Sequence, residues 1–211
     1  MEAVKFTFPA NWCVSGATGC GKTFWVYKLL QNKESLFQKP PLKVLYCYSI
    51  WQPIFDVMEK ELGVIFYKGL PTLEELMDFG RTKEHKLICL DDLQQEVVNS
   101  KTIEKLFTQL CHHLCMSVIY INQNLFYQGR CARTLHLNTV YNVFLKNQRN
   151  VEQIGIMGRQ IGLGKKLIEA YVDAMKTPYG YLIVDLSPKT SSNFQLRTRI
   201  FPDEAPLIIY K

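Results

Sequence analysis

No apolar run in this sequence reaches the eighteen or so residues that a membrane-spanning helix requires, so we expect no transmembrane segment and no membrane partner. The first ten residues include Glu2 and Lys5 and lack the hydrophobic region of a secretory signal. Repeats, low-complexity tracts and Gly/Ser-rich linkers are also missing, which argues against a repeat architecture and a second domain. We therefore predict a single domain over residues 1–211, with the 47% hydrophobic content of a globular protein.

The positive charge is confined to the C-terminal part of the chain. Residues 1–128 carry 13 Lys/Arg and 13 Asp/Glu, whereas residues 129–211 carry 12 Lys/Arg and 6 Asp/Glu, which accounts for the whole net charge of +6. This basic half indicates a nucleic-acid backbone or a neighbouring active site as its target. The alternative is a solvated basic surface.

A complete phosphate-binding motif, G-x-x-x-x-G-K-T, lies between an apolar stretch and a helix-like segment at residues 24–30. Glycines let the main chain approach phosphate oxygens closely, and a helix N-terminus favours an anion. Lys22 is expected to reach the β- and γ-phosphates and Thr23 to ligate Mg²⁺. The sequence therefore predicts that a nucleoside triphosphate is bound by Gly16, Ala17, Thr18, Gly19, Cys20, Gly21, Lys22 and Thr23.

Two acids follow the apolar residues 87–90. The carboxyl end of a buried parallel strand opens onto the crevice where ligands bind. We therefore expect Asp91 to hold Mg²⁺ opposite Thr23, and Asp92 to orient and deprotonate the attacking water. The alternative is that the pair starts a helix, because Asp is a good N-cap residue.

The next predicted strand, residues 117–122, ends at Gln123. An amide at this position is expected to sense the γ-phosphate or to position water, unless it only caps the strand. An acid pair on one strand and a polar sensor on another are typical of NTPases that hydrolyse through an activated water.

Strands and helices alternate along the chain. This alternation predicts an α/β fold, a three-layer αβα sandwich with a mostly parallel sheet. Together with the phosphate-binding motif, it resembles the RecA/ASCE-like P-loop NTPase type. The predicted strands are residues 43–48, 64–67, 86–90, 117–122, 141–146, 179–185 and 197–201, and the predicted helices are residues 53–62, 73–79, 102–114, 151–160 and 167–176.

Further segments occur in a recognisable order. They are SGATGCGKT at 15–23, GLP at 69–71, LDDL at 90–93, NQNLF at 122–126 with QG at 128–129, RT at 133–134, LN at 137–138, YNVFLKNQR at 141–149, RQ at 159–160, and PYGYL at 178–182 leading to DL at 185–186. In this order the chain resembles the genome-packaging ATPases of Polinton/Maverick-type elements and related large DNA viruses, within the FtsK–HerA superfamily. The resemblance covers nearly the whole chain.

The resemblance implies a ring of identical subunits, a hexamer or pentamer, that pumps double-stranded DNA into a preformed capsid with ATP and Mg²⁺ as cofactors. It implies capsid or portal-vertex proteins as docking partners, and a location inside the infected host cell, in the nucleus or at a cytoplasmic assembly site, or with the virion. Carried over by position, Lys22 and Thr23 bind phosphate and Mg²⁺, Asp91 and Asp92 are the Walker B acids, and Gln123 is the sensor.

A ring motor of this kind needs a cation from the neighbouring subunit, because the transferring phosphoryl group spreads charge over its oxygens. Arg149 and Arg133 are the leading candidates, followed by Arg159, and a surface Arg paired with a carboxylate is the alternative for each. Two positions depart from the pattern that the resemblance implies. Cys20 stands where the family often has Ser, and Asp92 stands where the wider superfamily usually has Glu.

Cysteine and histidine cluster at residues 111–115, with the residue types of a zinc site. No second ligand pair with finger-like spacing follows, so we expect buried thiols on an apolar helix face. Cys20, at a helix N-terminus, is expected to have a lowered pKa, which raises the hypothesis of redox control.

Several exposed-looking segments have both a functional and a structural interpretation. Lys165 and Lys166 are expected in an exposed loop that contacts DNA phosphates, although most such pairs are only solvated. Aromatic residues 126 and 127, beside Arg130, either touch DNA or a neighbour or pack in the core. The tryptophans are expected to pack near the sheet: Trp12, Trp25 and Trp51.

Two other functions remain open at this point. A nucleoside or nucleotide kinase shares the chain length, the P-loop and arginines on a mobile lid. A nucleotide-gated capsid or scaffold binder would bind ATP without turnover.

Overall fold

The structure, a computed structural model, describes residues 5–126, 128–204 and 206–211. The strands in these ranges all belong to one sheet. They are β1 (Asn11–Ser15), β2 (Lys43–Tyr48), β3 (Ile65–Lys68), β4 (Lys86–Asp91), β5 (Met116–Asn122), β6 (Tyr141–Leu145), β7 (Tyr181–Asp185), β8 (Leu196–Thr198) and β9 (Ile208–Tyr210).

Helices connect most of the strands. They are α1 (Lys22–Gln31), α2 (Lys33–Leu36), α3 (Pro53–Leu62), α4 (Leu73–Phe79), α5 (Gln94–Asn99), α6 (Lys101–Lys105), α7 (Cys111–His113), α8 (Ala132–Leu137), α9 (Val151–Gln160) and α10 (Lys165–Ala174), with a π-helical segment at Leu106–Leu110 and 3₁₀ turns at Gln148–Asn150, Ser192–Phe194 and Pro202–Glu204. Across the described parts of the chain, none of these helices has the length and apolarity needed to cross a membrane.

The sheet is mixed, in the order β3-β2-β4-β5-β1-β6-β7-β8-β9. The pairs from β3 to β6 are parallel, and β7, β8 and β9 extend the β6 edge in antiparallel fashion. Strand β5 lies between β1 and β4, so the segment after β5 is next to both the P-loop and the acid pair. The carboxyl ends of β1, β4, β5 and β6 meet at one edge of the sheet.

The two faces of the sheet are covered by different helices. Alternate strand residues face opposite sides, and in β4 Leu87 and Cys89 pack with α1 and α3, whereas Ile88 and Leu90 pack with the helical segments between β4 and β5. Helices α9 and α10 cover this second face at β6 and β7. The predicted three-layer α/β architecture with a mostly parallel sheet is therefore confirmed.

Most predicted elements are found, and the differences have local causes. The helix predicted at 102–114 is a continuous helical segment with a π turn inside it, and it ends at His113. Strand β7 begins at Tyr181 rather than at residue 179, because residues 177–180 form a turn in which Gly180 N–H donates to Thr177 O over 2.9 Å. Strand β8 covers Leu196–Thr198 instead of 197–201, because Arg199 has a positive φ of 55° that ends it.

Several short elements, including α2, α5, α8 and β9, were not predicted, and the start of α10 was predicted as a loop. Helix α8 and strand β9 are short, six and three residues, and carry little periodic signal. Lys165 and Lys166 lie in the first turn of α10 rather than in a loop. Lys165 is exposed and Lys166 is partly buried.

The tryptophans follow the expectation in two cases. Trp12 on β1 and Trp25 on α1 are buried in the same core cluster. Trp51 is 41% exposed and contacts Phe55 and Phe66 edge-on. Phe126 is partly buried beside His136, and residue 127 lies outside the described part of the chain.

A buried histidine, His85, lies at the edge of the sheet opposite the P-loop and contacts two other segments of the chain. His85 is 6% exposed; its Nδ1 lies 2.6 Å from Lys39 O and its Nε2 lies 3.1 Å from Ser117 Oγ. The Ser117 hydroxyl also accepts a hydrogen bond from Ala10 N–H at 3.0 Å. Burial lowers the pKa of His85 from 6.5 to about 4, because the charged imidazolium loses its hydration.

This histidine makes stability depend on pH in a defined direction. Between pH 6.5 and 4 the unfolded chain binds a proton at His85 that the folded chain does not, so the free energy of unfolding falls as the pH falls. We expect His85→Gln to lower the slope of the free energy of unfolding against pH, between pH 4 and 6.5, by up to about 1.4 kcal/mol per pH unit. Urea unfolding at several pH values measures it, with exposed His113→Gln as the control. Equal slopes in both variants would contradict the assignment.

Candidate nucleotide site

The phosphate-binding motif forms a tight loop between β1 and α1. Gly21 has a φ of 93° and precedes the first residue of α1, a conformation that favours glycine. Gly16 is equally constrained, because a Cβ there would lie 2.6 Å from Cys20 Sγ and 2.9 Å from Leu145 Cβ. The first backbone N–H groups of a helix have no partner within the helix, so the start of α1 offers donors that suit an anion.

Lys22 lies against this loop. Its Nζ donates hydrogen bonds to Gly16 O at 2.8 Å and to Ala17 O at 2.9 Å. The ammonium charge and the N-terminus of α1 are thus on the same side of the loop, which makes this region strongly attractive to phosphate.

Asp91, the last residue of β4, is held by two hydroxyl donors. Tyr46 OH donates to Asp91 Oδ2 at 2.7 Å, and Thr23 Oγ1 donates to the same oxygen at 3.1 Å. Asp91 is 4% exposed, and burial raises the pKa of its carboxyl group above the ordinary value. The hydrogen bonds from Tyr46 and Thr23 and the charge of Lys22 oppose this rise in the pKa.

These residues fit a magnesium ion bound together with phosphate. Mg²⁺ prefers oxygen ligands and is commonly held by one or two carboxylates, waters and substrate phosphates rather than by a protein cage. The Thr23 hydroxyl uses its proton on Asp91, which leaves oxygen lone pairs for a metal. Among the described residues, no three or more His, Cys, Asp or Glu side chains are grouped so that they could hold a metal ion. The Cys/His segment at 111–115 is therefore not such a group.

Asp92 is exposed at the mouth of the same crevice. Its φ is 55°, an uncommon conformation for a residue other than glycine. Ser49 Oγ donates to Asp92 Oδ2 at 3.5 Å, a long contact. The crevice, about 480 Å³ in volume, is also lined by Lys22, Thr23, Asp91 and Gln123. The structure thus brings together the predicted phosphate, metal, base and sensor positions.

A second crevice lies on the other side of the loop. It has a volume of about 770 Å³ and shares Thr18, Gly19 and Gln123 with the first. Asn147 Nδ2 donates to Gln123 O at 3.3 Å, which links the segment after β6 to the predicted sensor. Because Gln123 borders both crevices, it is positioned to contact a ligand that spans them.

The candidate arginines lie in different places. Arg149 lines the 770 Å³ crevice of its own chain, and its backbone N–H donates to Asn147 Oδ1 at 3.1 Å. Arg133 lines a separate depression next to Phe126 and His136, away from the P-loop. Arg159 is exposed on α9. The structure therefore brings only Arg149 to the P-loop of the same chain.

Two cysteine predictions need correction. Burial raises the pKa of the Cys20 thiol, and the nearby charge of Lys22 offsets this only in part, so the expected lowering is wrong. Cys111 is buried as expected and donates to Phe107 O at 3.4 Å, but Cys115 lies beyond the end of the helix and is partly exposed. The two thiols therefore do not share a helix face.

Sequence reasoning missed two tyrosines of the site. Tyr46 lies on a strand that was predicted correctly, yet its spacing from Asp91 along the chain gives no sign that the two side chains meet. Tyr179 was seen only as part of the PYGYL segment, and it lines the crevice beside the P-loop.

The architecture and the loop together are those of the P-loop NTPase fold. A scan against protein-family models finds no match for the chain, and a search of curated proteins finds none either. The fold is similar to that of solved genome-packaging NTPases. The DNA-packaging ATPase B204 from Sulfolobus Turreted Icosahedral Virus matches with a TM-score of 0.58 at 9% sequence identity, over 96% of this chain and 98% of that one.

The related B204 from Sulfolobus turreted icosahedral virus 2 was solved in complex with ATP-gammaS and matches with a TM-score of 0.56 at 10% identity, over 96% of this chain and 97% of that one. The same protein in complex with AMP gives a TM-score of 0.55 at 11% identity, over 86% and 95% of the two chains. At these identities the likeness is one of fold.

The hydrogen bond from Tyr46 to Asp91 gives a direct test of the metal position. We expect Tyr46→Phe to raise the Mg²⁺ concentration needed for half-maximal Mg–ATP binding by about tenfold, because a group that orients Asp91, the predicted metal ligand, is lost. Titration of Mg²⁺ at fixed ATP measures it. Tyr27→Phe is the control, since it removes an exposed Tyr–Glu61 hydrogen bond of 2.9 Å away from the crevice. An unchanged Mg²⁺ dependence in Tyr46→Phe would refute the role.

Proposed function

We propose that this chain is an ATP-hydrolysing translocase that moves double-stranded DNA into a capsid as part of a homo-oligomeric ring. The observation that carries the proposal is the convergence of Lys22, Thr23, Asp91, Asp92 and Gln123 on one crevice. The likeness in fold to a DNA-packaging ATPase over 96% of the chain supports the same function.

In the proposed mechanism the loop and Lys22 hold the phosphates, and Thr23 and Asp91 hold Mg²⁺. The metal neutralises charge on the β- and γ-phosphates when bound. Asp92, exposed at the crevice, accepts a proton from the attacking water, and the Gln123 side chain orients that water against the γ-phosphate. The acid pair together with the Gln123 amide favours water over a nucleoside hydroxyl as the nucleophile, and so favours hydrolysis.

The basic half supplies the proposed DNA contacts. Its exposed cations include Arg130, Arg159 and Lys165, whereas Arg197 is buried and paired with Asp185 at 2.7 Å. Translocation along any sequence needs contacts to the phosphate backbone rather than to bases. We therefore propose that DNA binding is salt-sensitive and independent of sequence.

The hydrolytic residues give the first test of the proposal. We expect DNA-stimulated ATPase activity that Lys22→Ala and Asp91→Asn abolish, because these remove a phosphate and a metal contact. Asp92→Asn keeps a residue type that tolerates the positive φ, so it is expected to retain ATP binding and to lose at least about a hundredfold in kcat. Phosphate release with and without duplex DNA measures the rates, and exposed Asp56→Asn is the control.

The same assay separates the rival functions. Phosphorylated nucleoside in place of inorganic phosphate, on incubation with ATP and a panel of nucleosides, would identify a kinase. Tight ATP binding with no turnover, even with DNA and capsid protein present, would identify a nucleotide-gated binder. ATP turnover that duplex DNA does not stimulate in any oligomeric state of the protein would contradict a translocase.

The two leading arginines are proposed to act differently. Arg133, distant from its own P-loop, is the proposed finger for the neighbouring subunit, and Arg149 is proposed to contact the nucleotide of its own subunit. Each Arg→Ala variant is expected to lose about 10³-fold or more in kcat.

Mixed rings test this assignment. When Asp92→Asn and Arg133→Ala subunits are combined in equal amounts, about a quarter of the sites pair an intact Asp92 with an intact neighbouring Arg133 and regain activity. A mixture of Asp92→Asn and Arg149→Ala subunits stays inactive, because each subunit is defective in its own site. ATPase recovery in the second mixture only would show that Arg149 acts on the neighbouring subunit and Arg133 acts within its own.

A further inference from the structure

Tyr179 occupies a backbone conformation that suits glycine better. Residues 177–180 form a turn closed by the hydrogen bond from Gly180 N–H to Thr177 O, with Pro178 in its second position. Tyr179, in the third position, has a φ of 55°, the pattern of a type II turn, which normally has Gly or Asn there. A bulky residue held in this region indicates that its side chain has a use outside the turn.

The turn itself is fixed by close packing rather than by the tyrosine ring. A Cβ on Gly180 would lie 2.1 Å from Ala174 O at the end of α10. The ring of Tyr179 adds little to the core, because the residue is 73% exposed. The turn thus presents an aromatic ring that the fold does not need.

This ring stands at the P-loop. A Cβ added to Gly21 would lie 3.3 Å from Tyr179 Cδ1, so the ring borders the backbone that leads into α1. Tyr179 lines both the 770 Å³ crevice beside the loop and an aromatic cavity of about 410 Å³ that also contains Phe24, Trp25 and Phe201.

The direction of a bound nucleotide follows from the sheet order. Asp91 and Asp92 follow β4, two strands to one side of β1, and they receive the γ-phosphate end in the proposed function. Strands β6 and β7 lie on the other side of β1, and the turn with Tyr179 directly precedes β7. A triphosphate laid along the loop with its γ end at the acids therefore carries its ribose and base toward Tyr179.

We propose that the exposed ring of Tyr179 is the stacking surface for the nucleobase, and that it selects purine nucleoside triphosphates. The inference rests on the proposed function, since it takes the P-loop as the triphosphate site. An aromatic ring stacks on any base, and the larger purine ring system gains more contact area than a pyrimidine.

Tyr179→Gly tests the proposal, because it removes the ring while leaving a residue that suits the turn. We expect about tenfold weaker binding of Mg–ATP, unchanged binding of inorganic tripolyphosphate, and a smaller preference for ATP over UTP. Tyr179→Phe keeps the ring and is expected to bind all three ligands like the wild type. Calorimetric titration measures the affinities, and thermal unfolding confirms that the variants are folded.

Cys115→Gly is the matched control. Cys115 also has a positive φ, 51°, but it precedes β5 at the opposite edge of the sheet. This substitution is expected to relieve backbone strain without changing the affinity for ATP. Unchanged ATP binding in Tyr179→Gly, or equal losses for ATP and tripolyphosphate, would overturn the stacking role. Failure of the wild type to bind either ligand would instead overturn the proposed function.

Discussion

One carboxylate oxygen organises the site. Asp91 Oδ2, at the end of β4, accepts hydrogen bonds from Tyr46 on β2 and from Thr23 on α1. These bonds join three separate elements at the point where the strands end. They also stabilise the charged form of a carboxyl group that burial disfavours. If this oxygen lost its donors, the end of β4 and the first turn of α1 would no longer be fixed relative to each other.

Much of the site could be predicted because its signals are local in sequence. The P-loop is a contiguous motif, so the expected roles of its glycines, lysine and threonine follow from their positions within eight consecutive residues. Asp91 and Asp92 end a run of apolar residues, which is the pattern of a buried parallel strand reaching the ligand edge. Strands such as β2 and helices such as α3 were predicted with their observed bounds, because β2 is an uninterrupted apolar run and α3 has a clear apolar periodicity.

The rest depends on contacts between distant parts of the chain. The insertion of β5 between β1 and β4 is a matter of strand order, which periodicity does not encode. The meeting of Tyr46 with Asp91 depends on that order and on the side-chain conformation. Arg133 and Arg149 were equivalent candidates in the sequence. The fold distinguishes them, because Arg149 lies beside the P-loop of its own chain and Arg133 lines a separate depression. The short strand β9 lacks the length to give a periodic signal.

The positive φ of Asp92 restricts which acid can follow β4. Asp and Asn adopt this left-handed backbone more readily than longer residues, because their short side chains hydrogen-bond locally, and the cost for others is roughly 1–2 kcal/mol. An exchange of Asp92 for Glu would therefore combine a longer reach with a strained main chain. A protein with Glu at position 92 is therefore expected to need a different backbone conformation after β4 as well. The change from Asp to Glu then requires further substitutions besides the one at position 92.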